Sequence, residues 1–365
     1  MSNTYFFTGF PGFIATSLIK EIIRKKYEIN HVYLLVQSTF LKKAQEEVEK
    51  IALEEDININ QFTIIPGDIT EPDLAISEED RTRLEDEITH VFHLAAIYDL
   101  AVPKDIAYKV NVVGTRNVND WILTLKHVKR YVYFSTSYVA GTREGRILES
   151  ELEKQQSFKN HYESTKFEAE VLVRKMISQV PTTIIRPGIV VGHSKTGETI
   201  KFDGPYFILN FFDRLKFLPL IPYLGKGQAE GNFVPIDYIF DATIYLGHAD
   251  IGIGKTYQLT DPKPYSCNEV YRMLMKECLG KEPVGMIPLQ LARWFLSIPV
   301  FRRWVRVEKE ALDYFTCMAK YDSTQTQMDL VGSGITCPDF KDVIPSIVQF
   351  YKKHKNDDNK QISIL

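Results

Sequence analysis

The stretch Thr8-Gly9-Phe10-Pro11-Gly12-Phe13-Ile14-Ala15 limits the fold of this chain more than any other. It follows a short apolar run, Thr4-Tyr5-Phe6-Phe7, and leads into a helix-like segment that ends near Lys26. Read as strand, turn and helix, the Gly-x-x-Gly-x-x-Ala pattern lets the backbone turn tightly and approach a pyrophosphate, while the small third residue brings helix and strand close. The helix amino terminus then offers unpaired N–H groups to the anion. A glycine pattern alone is often just a turn. At the head of a chain in which strand and helix patterns alternate, it predicts an α/β, Rossmann-type doubly wound parallel sheet that holds a dinucleotide at Thr8, Gly9, Phe10, Pro11, Gly12, Phe13 and Ile14.

The next strands supply the rest of such a site. His31 to Val36 reads as the second strand, and its end is where these sheets place an acid for the ribose hydroxyls or a base for a 2′-phosphate. Gln37 stands there and is neither, so the cofactor choice stays open; Lys42 and Lys43 read as solvated charge on an exposed helix. Phe62 to Ile69 is the third strand with its exit turn. Asp68, with Ile69 beside it, is a candidate acceptor for the adenine amino group, although an Asp after Gly is as often a turn residue. The fourth strand, Thr89 to Ala96, ends in Leu94, Ala95 and Ala96, where small side chains leave room for ribose and pyrophosphate. His93 inside that strand reads as a hydrogen-bonded core residue rather than a base. Asn111, on the following helix, either bonds backbone under the site or is a structural amide.

The chemistry rests on Tyr162 and Lys166, one helical turn apart in His161-Tyr162-Glu163-Ser164-Thr165-Lys166 and therefore on one helix face. A free phenol ionises near pH ~10, and an ammonium held beside it makes it a better acid or base near neutrality. Tyr-x-x-x-Lys alone is weak evidence. It gains weight from the fifth strand, Arg130 to Ser135, which ends at Thr136: a hydroxyl at the carboxyl end of a parallel strand faces the ligand crevice and can donate to a substrate oxygen beside Tyr162.

Together these residues look like an extended short-chain dehydrogenase/reductase. Leu34-Leu35-Val36, Gly67-Asp68-Ile69-Thr70, the run Ser135 to Gly141, Arg186-Pro187-Gly188-Ile189-Val190 and Asn232-Phe233-Val234-Pro235-Ile236-Asp237 resemble its thioester reductase and fatty acyl-CoA reductase (male sterility protein) branch. The resemblance covers roughly residues 4 to 260. It implies that Tyr162 donates the proton, Lys166 lowers its pKa and holds the nicotinamide ribose, Thr136 polarises the carbonyl, and Pro187, Gly188 and Ile189 line the nicotinamide. It favours NADP(H), with NAD(H) left open because the branch usually carries Arg where this chain has Gln37. The implied reaction is hydride transfer to a carbonyl, foremost a fatty acyl or other thioester giving an aldehyde or alcohol. A ketone or aldehyde reductase acting on a sterol-like or polyketide-like molecule is the enzymatic alternative, and a dinucleotide-sensing regulator is the non-catalytic one.

Composition narrows the classes further. The 365 residues are 44% hydrophobic and 25% charged with a formal net charge of −3, which gives no basic footprint for nucleic acid. Cys267, Cys278, Cys317 and Cys337 lie far apart, so neither a metal site nor a disulfide framework is expected, and with no signal-like amino terminus a reducing cytoplasm is the simplest reading. No apolar run approaches the ~20 residues of a spanning helix.

After Val191 the alternation breaks down. Residues 1–195 are expected to form the NAD(P)-binding domain, with 232–260 returning to it. A smaller, mostly helical substrate lobe is expected from 196–231 and 261–350, and a flexible tail from 351–365. In the run Tyr206 to Leu224, residues Phe207, Phe211, Phe212, Phe217 and Leu218 either wall an apolar substrate pocket or belong to an ordinary core helix. Leu291 to Leu296 and Phe301 to Trp304 alternate tryptophan with arginine and read as a lid, with contact to a membrane surface as the alternative. Homo-oligomerisation is left open.

Overall fold

The computed structural model describes residues 2–98 and 102–362. In chain order its first part runs through β1 (Asn3–Thr8), α1 (Phe13–Arg24), β2 (Ile29–Val36), α2 (Leu41–Glu54), β3 (Phe62–Pro66), α3 (Glu78–Glu87), β4 (His90–His93), α4 (Lys104–Ala107), α5 (Gly114–Ile122), β5 (Arg130–Phe134), β6 (Gly145–Ile147), α6 (His161–Arg174), β7 (Thr182–Pro187) and β8 (Ile189–Val191). There follow α7 (Tyr206–Leu215), β9 (Tyr223–Leu224), β10 (Phe233–Pro235), α8 (Ile236–His248), β11 (Lys255–Leu259), α9 (Cys267–Leu279), β12 (Met286–Ile287), α10 (Leu289–Leu296), α11 (Pro299–Val305), β13 (Ala319–Tyr321), α12 (Thr324–Asp329) and α13 (Phe340–His354).

Seven strands form one parallel sheet in the order β11-β7-β5-β4-β1-β2-β3. Helices cover both faces, so the strands are buried on both sides and read as nearly unbroken apolar runs such as Tyr5-Phe6-Phe7 and Val32 to Val36. The chain order reverses at β1, which lies between β2 and β4; a crevice opens there at the carboxyl ends of the strands. β4 stops at His93, three residues short of the expected end. Past Thr8, β1 turns away at Gly9 (φ +87°) and leaves no neighbouring ladder, while the Thr8 hydroxyl accepts from the amides of Leu94 (3.2 Å) and Ala95 (3.1 Å). Leu94 to Ala96 are therefore a loop clamped over the glycine turn.

The rest of the chain makes a lobe around a separate apolar cluster that includes Phe202, Tyr206, Phe212, Tyr271, Phe340 and Tyr351. Three short parallel pairs stitch distant segments together: β8 with β10, β9 with β12, and β6 with β13. Residues 351–362, read from sequence as a tail, are tied down: Tyr351 is buried, the Phe202 amide donates to the Lys360 carbonyl (2.7 Å) and Lys360 Nζ to the Thr199 carbonyl (2.8 Å).

Beneath the crevice, Arg186 of β7 and Glu170 of α6 form an ion pair with no access to water, Nη2 to Oε1 at 2.6 Å. Ser135 donates to Glu170 Oε2 (2.6 Å) and Arg174 Nε to Oε1 (3.0 Å), so β5, α6 and β7 meet on one carboxylate. Each partner's charge is met by the other and by hydrogen bonds, the condition under which a buried ion pair persists.

Two buried histidines, His90 and His93, lie on β4, and the half-buried His248 of α8 stands beside His90. His90 stacks on His248 at 5.2 Å, His248 Nε2 meets the Tyr5 hydroxyl at 2.9 Å, and His93 sits between the hydroxyls of Thr8 (2.7 Å) and Thr115 (3.1 Å). Burial pulls all three down, His90 and His93 to about 3 and His248 to about 4, with His248 adding to the effect on His90 and Lys166 to that on His93. Below pH ~6.5 the unfolded chain binds protons that the folded chain refuses, so stability present above that pH is lost as pH falls towards 4, by up to about 4 kcal/mol per pH unit for three sites. Urea unfolding at pH 7, 6 and 5 should show this slope, and His248→Gln should lower it by about a third; equal stability at pH 7 and 5 would contradict it.

Candidate active site

The crevice at the β1/β4 switch opens into a continuous cavity of about 1410 Å³. Its first section is the glycine turn. Gly9, Gly12, Phe13, Ile14 and Ala15 line it, with Leu94, Ala95 and Ala96 opposite. A Cβ on Gly9 would lie 2.9 Å from the Ala95 amide nitrogen, and one on Gly12 would lie 2.5 Å from the Gly9 carbonyl oxygen. Gly12 caps α1, and no acidic side chain lies in the first turn of that helix. A backbone held this close, before a helix amino terminus, fits the pyrophosphate of a dinucleotide.

The remaining expected contacts divide. Thr8, Phe10 and Pro11 do not line the cavity: Thr8 holds the opposite loop, Phe10 is in the core, and the Phe10–Pro11 peptide is cis. Gln37 and Asp68 meet at the exposed ends of β2 and β3, Gln37 Nε2 donating to Asp68 Oδ2 at 2.9 Å. The Ile69 side chain points into the core and packs on Gly114, while its carbonyl accepts from Asn117. Asn111 is buried beneath the site. It accepts from the Ile97 amide (2.9 Å) and donates to the Ile97 carbonyl (3.3 Å) and to Thr165 of α6 (3.0 Å), so it ties the loop after β4 to the helix of Tyr162.

Thr136, Tyr162 and Lys166 share one wall, with Pro187, Gly188 and Ile189 lining the cavity beyond. The helix starts where it does because Asn160 caps it, its side chain accepting from the Glu163 amide at 2.9 Å. Burial raises the Tyr162 phenol above its ordinary value, and a hydrogen bond with the Thr136 hydroxyl works against that rise. Lys166 Nζ donates to the Phe134 carbonyl (2.6 Å) and the Tyr133 hydroxyl (3.0 Å), and burial pulls its ammonium down to about 7 despite the charge of Glu170. A lysine poised there exchanges protons at neutral pH.

Sequence reasoning missed four groups near this wall. Tyr98 meets the Tyr162 ring edge-on at 5.2 Å, and Asp203 lies near Tyr98, its carboxyl pushed up to about 6 by burial. Tyr138 and Tyr314 pack edge to face at 4.8 Å, and the Tyr314 hydroxyl donates to the buried Glu163 carboxylate at 3.2 Å. Tyr98 had a signal, an aromatic two residues past the paired alanines. Asp203 and Tyr314 had none.

Past Tyr162 the cavity runs into the lobe, where Phe207, Ile208, Phe211, Leu215, Phe295 and Leu296 are among the wall residues. The aromatic run is thus split: Phe207 and Phe211 face the cavity, Phe212 packs on Tyr271 at 4.8 Å, Leu218 rests against the lobe core and Phe217 is exposed. A helix of this period must divide its residues between faces in this way. Among the described residues no cluster of His, Cys, Asp or Glu could hold a metal ion, and no helix is long and apolar enough to cross a membrane.

A profile of the male sterility protein family matches residues 7–243, more than half of the chain. The non-canonical nonribosomal peptide synthetase cpsA of Aspergillus campestris is 27% identical over 75% of this chain, which covers 27% of that protein. The putative fatty acyl-CoA reductase CG8306 of Drosophila melanogaster is 25% identical over 67% of this chain, which spans 54% of that protein. Among solved structures, the terminal R domain of the myxalamid PKS-NRPS biosynthetic pathway superposes with a TM-score of 0.80 and 26% identity, over 97% of this chain and 91% of that one. The chain belongs to the male sterility protein family of NAD(P)-dependent reductases, within the extended short-chain dehydrogenase/reductases.

Proposed function

We propose that this chain reduces an acyl thioester with a long, apolar acyl group, releasing an aldehyde or carrying it on to the alcohol. The observation that carries this reading is the continuity of the cavity: one space runs from the glycine turn, past Thr136 and Tyr162, into a chamber walled by aromatic and aliphatic side chains. The relatives include a fatty acyl-CoA reductase and nonribosomal peptide synthetases.

When bound against Pro187, Gly188 and Ile189, a reduced nicotinamide dinucleotide supplies the hydride. The chain does the rest. The Thr136 hydroxyl and the Tyr162 phenol hold the carbonyl oxygen between them, so both donors point where negative charge develops. Tyr162 passes its proton to the forming alkoxide, and Lys166, close to neutral pH in its own titration, restores that proton. A thioester reduced once in this way is a hemithioacetal, which expels the thiol and leaves an aldehyde. The apolar wall beyond, with Phe207 and Phe211 in it, keeps water from competing for the acyl carbon.

Removing the phenol tests the proton step: Tyr162→Phe should cut kcat by roughly 10²–10⁴ while fluorescence titration shows dinucleotide binding within a few fold of wild type. Turnover that survives in this variant would reassign the proton donor. Narrowing the chamber tests the substrate class. Ala292→Trp should raise KM for a long acyl-CoA at least tenfold and leave a short one nearly unchanged, whereas equal effects on both would place the acyl group elsewhere. For the cofactor, Gln37→Arg should raise the ratio of kcat/KM for NADPH over NADH at least tenfold, since a guanidinium there meets a 2′-phosphate that an amide paired with Asp68 does not.

A further inference from the structure

Three residues stand in one row across the carboxyl ends of the central strands: Thr8 of β1 is in register with His93 of β4, and His93 with Tyr133 of β5. Neighbours in register share a face of the sheet, and Thr115, at the start of α5, covers that face. All four are buried. They form one chain of hydrogen bonds that ends on the lysine of the reaction wall. The Thr8 hydroxyl meets His93 Nδ1 at 2.7 Å, and His93 Nε2 meets the Thr115 hydroxyl at 3.1 Å. The Thr115 hydroxyl is bonded with the Tyr133 phenol, whose oxygen lies 3.0 Å from Lys166 Nζ.

The two ends of the chain fix the direction of its protons. At one end the Thr8 oxygen accepts from the amides of Leu94 and Ala95, which fills its lone pairs, so its own proton goes to His93 Nδ1. Burial pulls the His93 ring down to about 3, so it is neutral at pH 7. A neutral ring that accepts at Nδ1 carries its proton on Nε2 and donates it to Thr115. At the other end an ammonium has donors only, so the Tyr133 oxygen accepts from Lys166. The proton of the phenol then goes to the Thr115 oxygen, which takes one donor from each side. A phenol that donates in this way is the better acceptor for the ammonium.

We propose that His93 and Thr115 are positioning residues for Lys166. They keep the Tyr133 hydroxyl turned so that a lone pair, not a proton, faces the ammonium, and they tie that orientation to Thr8, the clamp on the loop opposite the glycine turn. Without the Thr115 oxygen the proton of the phenol loses its acceptor and turns towards the lysine, where it disfavours the charged form. The titratable and charged groups around Lys166 are Tyr133 of β5, His93 of β4, Tyr162 and Glu170 of its own helix and, beyond Glu170, Arg174 and Arg186. The part that Lys166 plays in turnover rests on the reading given above; the order of the protons does not.

Two-bond nitrogen–proton NMR spectra of protein carrying labelled histidine read the ring directly. His93, assigned by its loss in His93→Gln, should carry its proton on Nε2 and keep one form from pH 5.5 to 8. A proton on Nδ1, or a titration within that range, overturns the proposal. Carbon NMR of labelled lysine reads the other end of the chain. Lys166, assigned by its loss in Lys166→Met, should titrate near neutrality. Thr115→Val should lower that midpoint by at least about half a pH unit, while Thr115→Ser, which keeps the hydroxyl, should leave it within about 0.2 of wild type. Valine has the shape of threonine, so only the hydroxyl is lost. An unmoved midpoint in Thr115→Val, or an equal shift in Thr115→Ser, overturns the proposal as well. Neither spectrum needs a substrate, so the thioester reading can fail while the proton order stands. The tautomer is read in the unaltered protein, so a Thr115 variant that does not fold still leaves the proposal open to refutation.

Discussion

A single buried carboxylate, that of Glu170, ties β5, α6 and β7 together beneath the cavity wall. Glu170 sits one helical turn past Lys166 on α6, takes the guanidinium of Arg186 from β7 and accepts the hydroxyl of Ser135, the residue before Thr136. Thr136 and Pro187 each adjoin a residue bonded to that carboxylate, Lys166 lies one turn from it, and Tyr162 lies two turns away on the same helix. The pair lies in the dry interior, where its two charges attract strongly but each would be costly alone, and removal of one partner from such a pair costs ~3–5 kcal/mol. The consequence is geometric as much as energetic. Strand ends and a helix that would otherwise slide by fractions of an ångström are fixed to one point, and a donor misplaced by an ångström loses much of its effect.

The same dryness sets the electrostatics of the site. Burial raises the Tyr162 phenol and lowers the Lys166 ammonium, so each is pushed towards its neutral form, and the Phe134 carbonyl with the Tyr133 hydroxyl hold the lysine in place. Tyr162 is bonded with the Thr136 hydroxyl and Lys166 with the Tyr133 hydroxyl, so the two titratable groups are held through different partners. In the reaction proposed above, anionic phosphates near the glycine turn and an oxyanion at the carbonyl would favour the charged lysine.

Much of this was legible in the chain because it is local. Gly9 and Gly12 announce a turn between strand and helix, and the structure gives Gly9 a positive φ and no room for a side chain. Tyr162 and Lys166 four apart on a capped helix had to share a face. Other features were not legible because they join segments far apart in sequence. Glu149 accepts from the amides of Gln258, Gln325 and Thr326 and from the Thr326 hydroxyl, partners more than a hundred residues away, and nothing near Glu149 hints at them. The split of Phe211 from Phe212 between cavity and core depends on where α9 lies. Gln37 shows the opposite case: the residue was correctly located at the end of β2, but its pairing with Asp68 is set by how two exposed loops meet.

The hydrogen bond from Tyr314 to Glu163 has a further consequence for how the molecule reaches its working state. The two residues are 151 apart in sequence, and β6 with β13 and Glu149 with Thr326 close loops of similar length beside them. Closing such loops loses much chain entropy before any contact rewards it, so they form late. The parallel sheet through β7 can assemble while the last third of the chain is still unstructured, and the wall beside Tyr162 is then an open groove. Only when the segment carrying Tyr314 folds back is the groove roofed over. Synthesis from the amino end therefore builds the dinucleotide cradle first and the enclosed reaction chamber last, and a chain halted before residue 314 would hold the cradle without the roof.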